Sequence, residues 1–337
     1  MPQDVRFDIP IPARCNPHEA EAEQHNLQWL LYHRMLADPD AVTLYRSWGM
    51  ANLAARCWPD ADVDDLGLTV DLKSFYFLFD DQFDGPQGEV PSNVAAVCRE
   101  LIDIVHQAPG AASRYPVAKA FADLWARSRV GMSRSWVART AHDWERYFAS
   151  YSHEAVNRRS QVVPTMDDYL AIRRGSAATE SVTDMVERLN RVEVPPVAFH
   201  SPQLRLMRQI AADVPFICND VYSYEKETAR GDVYNLVTVL CRQRRYSVSE
   251  AVDEIQAVVA EQIRRFLQLR GEVPYMLDEV GIVGTHRLHV LRYIEGLGDW
   301  LRGHNDWMSS TARYRVGGSP PGDQPGYLDI LLDQPSL

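Results

Sequence analysis

"DADVDDLGLTVDLKSFYFLFDDQFD", residues 60–84, opens on aspartates, runs through a long apolar and aromatic stretch, and turns acidic again. Aspartates ahead of an apolar run mark a helix start, because a short carboxylate accepts hydrogen bonds from the unpaired N–H groups of the first turn. Read as a helix, the segment places Asp80 and Asp84 one turn apart on a shared face, with Tyr76 and Phe77 one turn before Asp80. Rings then lie below and carboxylates at the rim. A carboxylate beside an apolar surface is costly unless its charge is compensated. Two readings are open: a helix end whose acids sit in water, or a metal at the mouth of an apolar cavity. Acids number 46 in the chain, so this motif alone favours the first.

The rest of the chain carries the same helical period. "EAEAEQHNLQWLLYHRML" (19–36), "VAAVCRELIDIVHQ" (94–107) and "SVSEAVDEIQAVVAEQIRRFLQLRGEV" (247–273) repeat apolar residues at helical spacing. Alternation with a period of two is scarce, so no sheet is expected. Breaks such as "DGPQGEVPSN" (84–93) and "RVEVPP" (191–196) are loop-sized. The expectation is one all-α domain over residues 1–337, of about ten or more helices, with flexible ends. Residues 1–16 form an extended Pro-rich segment, and 316–337 a tail that begins "VGGSPPGDQPG". Bundles of long helices place their sites in the core.

Composition narrows the function. Hydrophobic residues make up 46% of the chain, enough for a large core, and the formal net charge of −11 argues against nucleic acid as a partner. The cysteines number five, widely scattered and without a CxxC pair, as in a reducing cytosol. No signal peptide opens the chain, and no apolar run is long enough to span a bilayer. A cytoplasmic protein with no membrane partner is expected.

The second constellation is "NDVYSYEKE", residues 219–227, which follows the apolar "QIAADVPFIC". Asn219, Ser223 and Glu227 sit at i, i+4 and i+8 and form one polar stripe over about 12 Å of helix axis. Side chains lean toward the helix N-terminus, so the long Glu227 can reach back toward the short Asn219 and Ser223. An amide, a hydroxyl and a carboxylate are hard oxygen donors, suited to Mg²⁺. An ordinary hydrophilic face is the alternative, but a polar stripe that continues a buried helix is harder to dismiss. Magnesium keeps waters and shares phosphate oxygens with a ligand. Two facing sites would therefore suit a phosphorylated ligand with cationic donors around it. Arg173 and Arg174 in "AIRRGS", Lys226, and Arg313 with Tyr314 are the candidates. HExxH, GxSxG, Walker A and GxGxxG motifs are absent, and the histidines have no ligand spacing.

"FLFDDQFD", then "RR", then "NDVYSYEKE", then "RY" follow in an order that resembles the bacterial class I terpene synthases, among them the sesquiterpene cyclases, over nearly the whole chain. The resemblance implies a single-domain helical bundle around a central active-site cavity, holding three Mg²⁺ ions. It implies that Asp80 bridges two ions and that Asn219, Ser223 and Glu227 hold the third. Arg173 would sense the diphosphate; Lys226, Arg313 and Tyr314 would hydrogen-bond it. Asp81 and Asp84 would support the motif through salt bridges or water. Ser176 and Ala177 fall where relatives have a helix break with a linker and an effector residue. Phe77 and Trp307 are the first candidates for an aromatic wall facing a carbocation, Tyr76 the next, while Phe75 is assigned to the core.

The implied reaction is ionisation of farnesyl diphosphate and cyclisation of the cation to a sesquiterpene hydrocarbon or alcohol. Alternatives are a diterpene cyclase using geranylgeranyl diphosphate, a chain-elongating prenyltransferase, or a non-catalytic prenyl-diphosphate binder. Elongation is disfavoured because the second motif is Asn-Ser-Glu, not a second aspartate-rich run. A homodimer is the assembly the resemblance suggests.

Overall fold

The aspartate-led segment folds as its sequence predicts. A helix runs from Val63 to Asp81, and the Asp62 carboxylate caps it by accepting a 2.9 Å hydrogen bond from the Asp65 N–H. The computed structural model describes residues 4–36, 38–83, 88, 90–107, 115–160, 163–229 and 234–314. Asp84 and the tail 316–337 lie outside the described residues.

The helices, in chain order, are α1 (Glu19–Tyr32), α2 (Pro39–Ser47), α3 (Met50–Cys57), α4 (Val63–Asp81), α5 (Pro91–Val105), α6 (Pro116–Ser128) and α7 (Arg134–Ser160). They continue as α8 (Met166–Ser176), α9 (Thr179–Leu189), α10 (Pro196–Phe199), α11 (Pro202–Ala229), α12 (Leu236–Arg244), α13 (Val248–Glu279) and α14 (Gly284–Met308). A 3₁₀ turn, Ala312–Tyr314, follows. Among the described residues there is no strand. The all-α expectation holds.

Helix α4 is central and buried almost all round. Its Phe75 and Phe79 rings stack at 5.4 Å, and Phe75 lies 5.4 Å from Phe121. Phe121 in turn packs 4.8 Å from Trp144 and 4.8 Å from Phe148 of α7. Phe75 is thus core, as expected. Buried acids on this helix find partners on several sides: Asp65 pairs with Arg188 of α9, Asp81 with Arg313, and Asp71 with groups from α1 and α6. The Asp71 carboxylate, fully buried, accepts from Asn26 at 2.9 Å and Arg127 at 2.8 Å, and pairs with His25 at 2.9 Å.

Two features set the helices around a common interior. Pro215 lies inside α11 and has no N–H to give to the carbonyl of Ala211, four residues earlier. The Trp300 indole of α14 donates to that carbonyl at 2.9 Å, so a helix defect becomes a docking point. Gly303 of α14 packs directly on the backbone of α3, where a Cβ would fall 2.5 Å from the Arg56 carbonyl.

The expected flexibility of the N-terminal end is corrected. The segment is extended, but Phe7, Ile9 and Ile11 are buried. Arg302 donates to the Ile9 and Ile11 carbonyls at 3.0 Å each, and Tyr222 donates to Val5 at 3.2 Å. Alternating apolar residues with side-chain donors for the backbone between them make this a strap across α11 and α14.

Gly303→Ala is expected to lower stability by about 1–3 kcal/mol, because rigid backbone blocks the methyl group. Gly271→Ala, in exposed α13 with nothing within 4 Å of its Cβ position, is expected to raise stability by about 0.5–1 kcal/mol. Urea unfolding of both variants checks this, and equal or reversed signs contradict the packing argument.

Candidate active site

A cavity opens between α4, α7, the α8–α9 break, α11 and α14. Helix α4 contributes Lys73, Tyr76, Phe77 and Asp80, a stripe at i, i+3, i+4 and i+7. Helix α11 faces it with Pro215, Phe216, Asn219 and Glu227, and α14 adds Trp300 and His304. Tyr147 and Tyr151 come from α7. Arg173 and Ser176 come from the last turn of α8, and Ala177 and Ala178 from the break between α8 and α9. There α8 ends, Ala178 takes a left-handed φ of 58°, and α9 starts at Thr179. Only a backbone held by its surroundings keeps a non-glycine residue there. The Ser181 hydroxyl donates to the Ala178 carbonyl at 2.9 Å and is itself 2.8 Å from the Tyr76 hydroxyl.

One end of the cavity is ionic. The Asp80 carboxylate, exposed at the rim, accepts from the Tyr151 hydroxyl at 3.0 Å, and Tyr151 lies 2.8 Å from Tyr147. Burial, then the charge of Asp80, holds the Tyr151 phenol well above its ordinary pKa, so it stays a donor. Next to Asp80, buried Asp81 forms a two-point ion pair with Arg313, at 2.9 and 2.6 Å, and lies 3.8 Å from Lys226. The Arg313 guanidinium sits between the rings of Trp48 and Phe77, 4.4 and 4.7 Å from their centroids.

Across the rim, Asn219 donates to the Tyr314 hydroxyl at 2.6 Å, and Ser223 donates to the Asn219 carbonyl at 2.9 Å. Glu227 accepts from Asn235 at 2.9 Å, and Asn235 also donates to the Asp220 carbonyl at 2.7 Å. Asp220 is buried and anchors Arg173, which donates to it at 3.2 Å; the Tyr169 hydroxyl and the Leu236 N–H also donate to Asp220. Burial opposes the charge on Arg173, but Asp220, Tyr169, Glu154 and Glu227 together outweigh it and hold the guanidinium well above its ordinary pKa.

The donor chemistry fits a hard divalent cation. Asp80 and Glu227 present carboxylate oxygens on opposite helices of one cavity, and the Asn219 amide nitrogen is committed to Tyr314, which leaves its oxygen as the acceptor. Among the described residues no cluster of three His, Cys, Asp or Glu side chains forms; half of this donor set is an amide and a hydroxyl. The lining also holds buried Arg173 Nε, Ser176 Oγ and Thr179 Oγ1, none with a hydrogen-bond partner in the protein. Unmatched donors at an ionic rim suit an anion.

The structure sorts the residues singled out in the sequence. Asp80, Tyr76, Phe77, Arg173, Ser176, Ala177, Asn219 and Glu227 all line the cavity. Ser223, Lys226, Arg313, Tyr314 and Asp81 stand just behind the rim, tied to it by the bonds above. The shared-face argument for Asp80 and Asp84 does not carry over, because α4 ends at Asp81 and Asp84 lies outside the described residues. Arg174 points elsewhere, pairing with Asp213 at 2.9 and 2.8 Å in a separate polar cavity.

The expectation for Trp307 is corrected. Its indole is buried, donates to the Trp48 carbonyl at 2.7 Å and packs 5.4 Å from Phe77, so it supports that ring from behind. The wall position on α14 belongs to Trp300, whose own N–H is drawn to Ala211. Sequence reasoning missed Trp300, Phe216, Tyr147, Tyr151, Lys73, His304, Asp220 and Asn235. Lys73 left a readable signal: a lone cation in an apolar helix, two turns before Asp80 on the same face.

Comparison with known proteins shows what the whole chain is similar to. Residues 71–265 match the family "Terpene synthase family 2, C-terminal metal binding". The chain is 37% identical to pentalenene synthase of Streptomyces avermitilis over 336 residues, covering 98% of this chain and 99% of that protein. It is 35% identical to the (-)-beta-caryophyllene synthase ((2E,6E)-farnesyl diphosphate cyclizing) of Saccharothrix espanaensis, covering 98% and 94%. The crystal structure of germacradien-4-ol synthase from Streptomyces citricolor superposes with a TM-score of 0.85 at 39% identity, over 92% of this chain and 100% of that one.

Asp81→Ala is expected to lower stability by about 3–5 kcal/mol, because it removes the two-point carboxylate partner of the buried Arg313 guanidinium. Glu261→Ala, which breaks an ion pair whose side chains are both 63% exposed, is expected to leave stability nearly unchanged. Urea unfolding compares them; similar costs would show that Asp81 is not an essential counter-charge.

Proposed function

The chain belongs to the terpene synthase family, a family of lyases, and from that premise we propose that it ionises farnesyl diphosphate with the help of Mg²⁺ and cyclises the resulting cation. The observation that carries the reading is the pairing of hard oxygen donors on α4 and α11 at one end of an aromatic-walled cavity, with Arg173 between them. Relatives whose names specify sesquiterpene products support a C15 substrate.

In the proposed mechanism Asp80 would hold metal on one side of the rim, and Asn219, Ser223 and Glu227 would hold it on the other, three ions in all. Bound there, Mg²⁺ supplies positive charge that stabilises the departing diphosphate. Arg173 is already oriented by Asp220, so its donors meet the leaving group without reorganisation. Lys226, Arg313 and Tyr314 add N–H and O–H donors at the same rim. Tyr151 steadies Asp80 from the α7 side. Once the diphosphate has left, the hydrocarbon cation lies among Tyr76, Phe77, Phe216 and Trp300, whose ring faces favour positive charge and whose bulk excludes water. A homodimer is the proposed assembly, and sedimentation tests it.

Incubation with Mg²⁺ and farnesyl diphosphate is expected to give diphosphate and a cyclic C15 product by GC–MS, and EDTA is expected to stop both. Asp80→Ala and Glu227→Ala are each expected to slow diphosphate release on the order of a hundredfold to a thousandfold, with unchanged far-UV circular dichroism. Phe77→Ala is expected to alter product proportions more than diphosphate release. Turnover in EDTA, or full activity of either carboxylate variant, contradicts the reading; turnover of geranylgeranyl diphosphate alone redirects it to a C20 cyclase.

A further inference from the structure

We propose that Lys73 accepts the proton that ends the reaction, so that the product leaves as a hydrocarbon; this deepens the cyclase reading above and rests on it. Lys73 lies on the cavity-facing stripe of α4, two turns before Asp80, which puts its Cα about 10 Å along the axis from the ionic rim. It therefore stands at the opposite, aromatic end of the cavity. Its side chain is buried, with Nζ 4.0 Å from the Trp300 ring centroid, 5.3 Å from Trp58 and 5.9 Å from Tyr76.

What distinguishes this lysine is the lack of a counter-charge. Asp71, two residues earlier on α4 and equally buried, gathers three partners, His25 and Asn26 from α1 and Arg127 from α6. Lys73 pairs with no carboxylate among the described residues, and burial pulls its ammonium pKa down to about 7. The titratable groups facing it are Cys57 from α3, His304 from α14 and Tyr76 from α4 itself. A positive charge arriving in the cavity favours the neutral amine further. A lysine kept only for stability would be paired, since an uncompensated buried amine is costlier than an apolar side chain of the same length.

The neighbouring groups are poorer acceptors. Burial, then Lys73, holds the His304 imidazole well below its ordinary pKa, which makes it a weak base. The Tyr76 hydroxyl is engaged with Ser181 and held well above its ordinary pKa, so it stays protonated. Lys73 is the stronger base in contact with the cavity at this end.

The step balances simply. A C–H bond on the carbon next to the cationic centre breaks, and its electron pair becomes the new C=C bond. The proton goes to the Nζ lone pair. The ammonium that forms already lies against the faces of Trp300, Trp58 and Tyr76, where cation–π attraction holds it. It returns its proton to water when the product leaves.

The test compares wild type, Lys73→Met and Lys73→Arg with farnesyl diphosphate and Mg²⁺, reading diphosphate release, products by GC–MS, and thermal unfolding. Wild type is expected to yield mainly a hydrocarbon. Lys73→Met is expected to unfold at or above the wild-type temperature. The share of the main product is expected to fall about tenfold or more, in favour of other alkenes or alcohols, with a smaller fall in diphosphate release. Lys73→Arg is expected to lose the main product as well, because a guanidinium keeps its proton. The wild-type product tests the proposal independently of any variant: a predominantly alcohol product overturns it. Wild-type product proportions in either variant, or a C15 adduct on Lys73 by mass spectrometry, also overturn it. If wild type releases no diphosphate at all, the cyclase reading falls and this proposal with it.

Discussion

The buried ion pair between Asp81 and Arg313 joins the last residue of α4 to the 3₁₀ turn that follows α14. Two charges this deep persist only when each satisfies the other with good geometry, and the two-point pair does so. Its position has consequences on both sides. It brings Arg313 against Phe77 and Trp48, brings Tyr314 to Asn219, and leaves Lys226 within reach of the same carboxylate. Segments distant in the chain thereby meet at one rim of the cavity. The rim proposed to hold metal and diphosphate is thus a place where cationic side chains are stored against a carboxylate, next to the acid that faces the cavity.

The opposite end of the cavity is built from a different compromise. Pro215 leaves a carbonyl of α11 without its helical partner, and Trp300 supplies the missing donor. One substitution in a helix thereby aims a large ring at the interior. The break between α8 and α9 is similar: Ala178 adopts a conformation that costs energy for any residue with a Cβ, and Tyr76 and Ser181 stabilise it from α4 and α9. Local irregularities cluster around the cavity because regular helices would fill it.

Legibility followed the range of the interaction. Asp80, Phe77, Asn219 and Glu227 were readable because spacings of three, four and seven residues decide which side chains share a helix face, and that depends only on local geometry. Arg173 and Arg174 were not separable by spacing, since adjacent residues differ by about 100° around the axis and either direction was open until α11 presented Asp213 to one and Asp220 to the other. Trp307 and Trp300 both face inward from α14, two turns apart. Trp307 was named for its nearness to Arg313, yet the Trp48 carbonyl claims its N–H and removes it from the wall. Tyr151 and Asn235 carried no motif, and Asp220, though inside "NDVYSYEKE", lay off its ligand spacing; their roles come from what α4, α8 and α11 bring beside them.

The amino-acid sequence by itself determined a single all-helical chain, two facing acidic and amide motifs, and the family to which they point. These rest on periodicity, capping and residue chemistry, which are properties of short stretches. Tertiary structure alone decided which tryptophan of α14 walls the cavity, that α11 supplies Asp220 to anchor Arg173, and that Lys73 sits without a carboxylate partner at its far end. Those outcomes depend on which helix supplies a counter-charge or a carbonyl to which side chain, and such pairings exist only once distant segments are packed together.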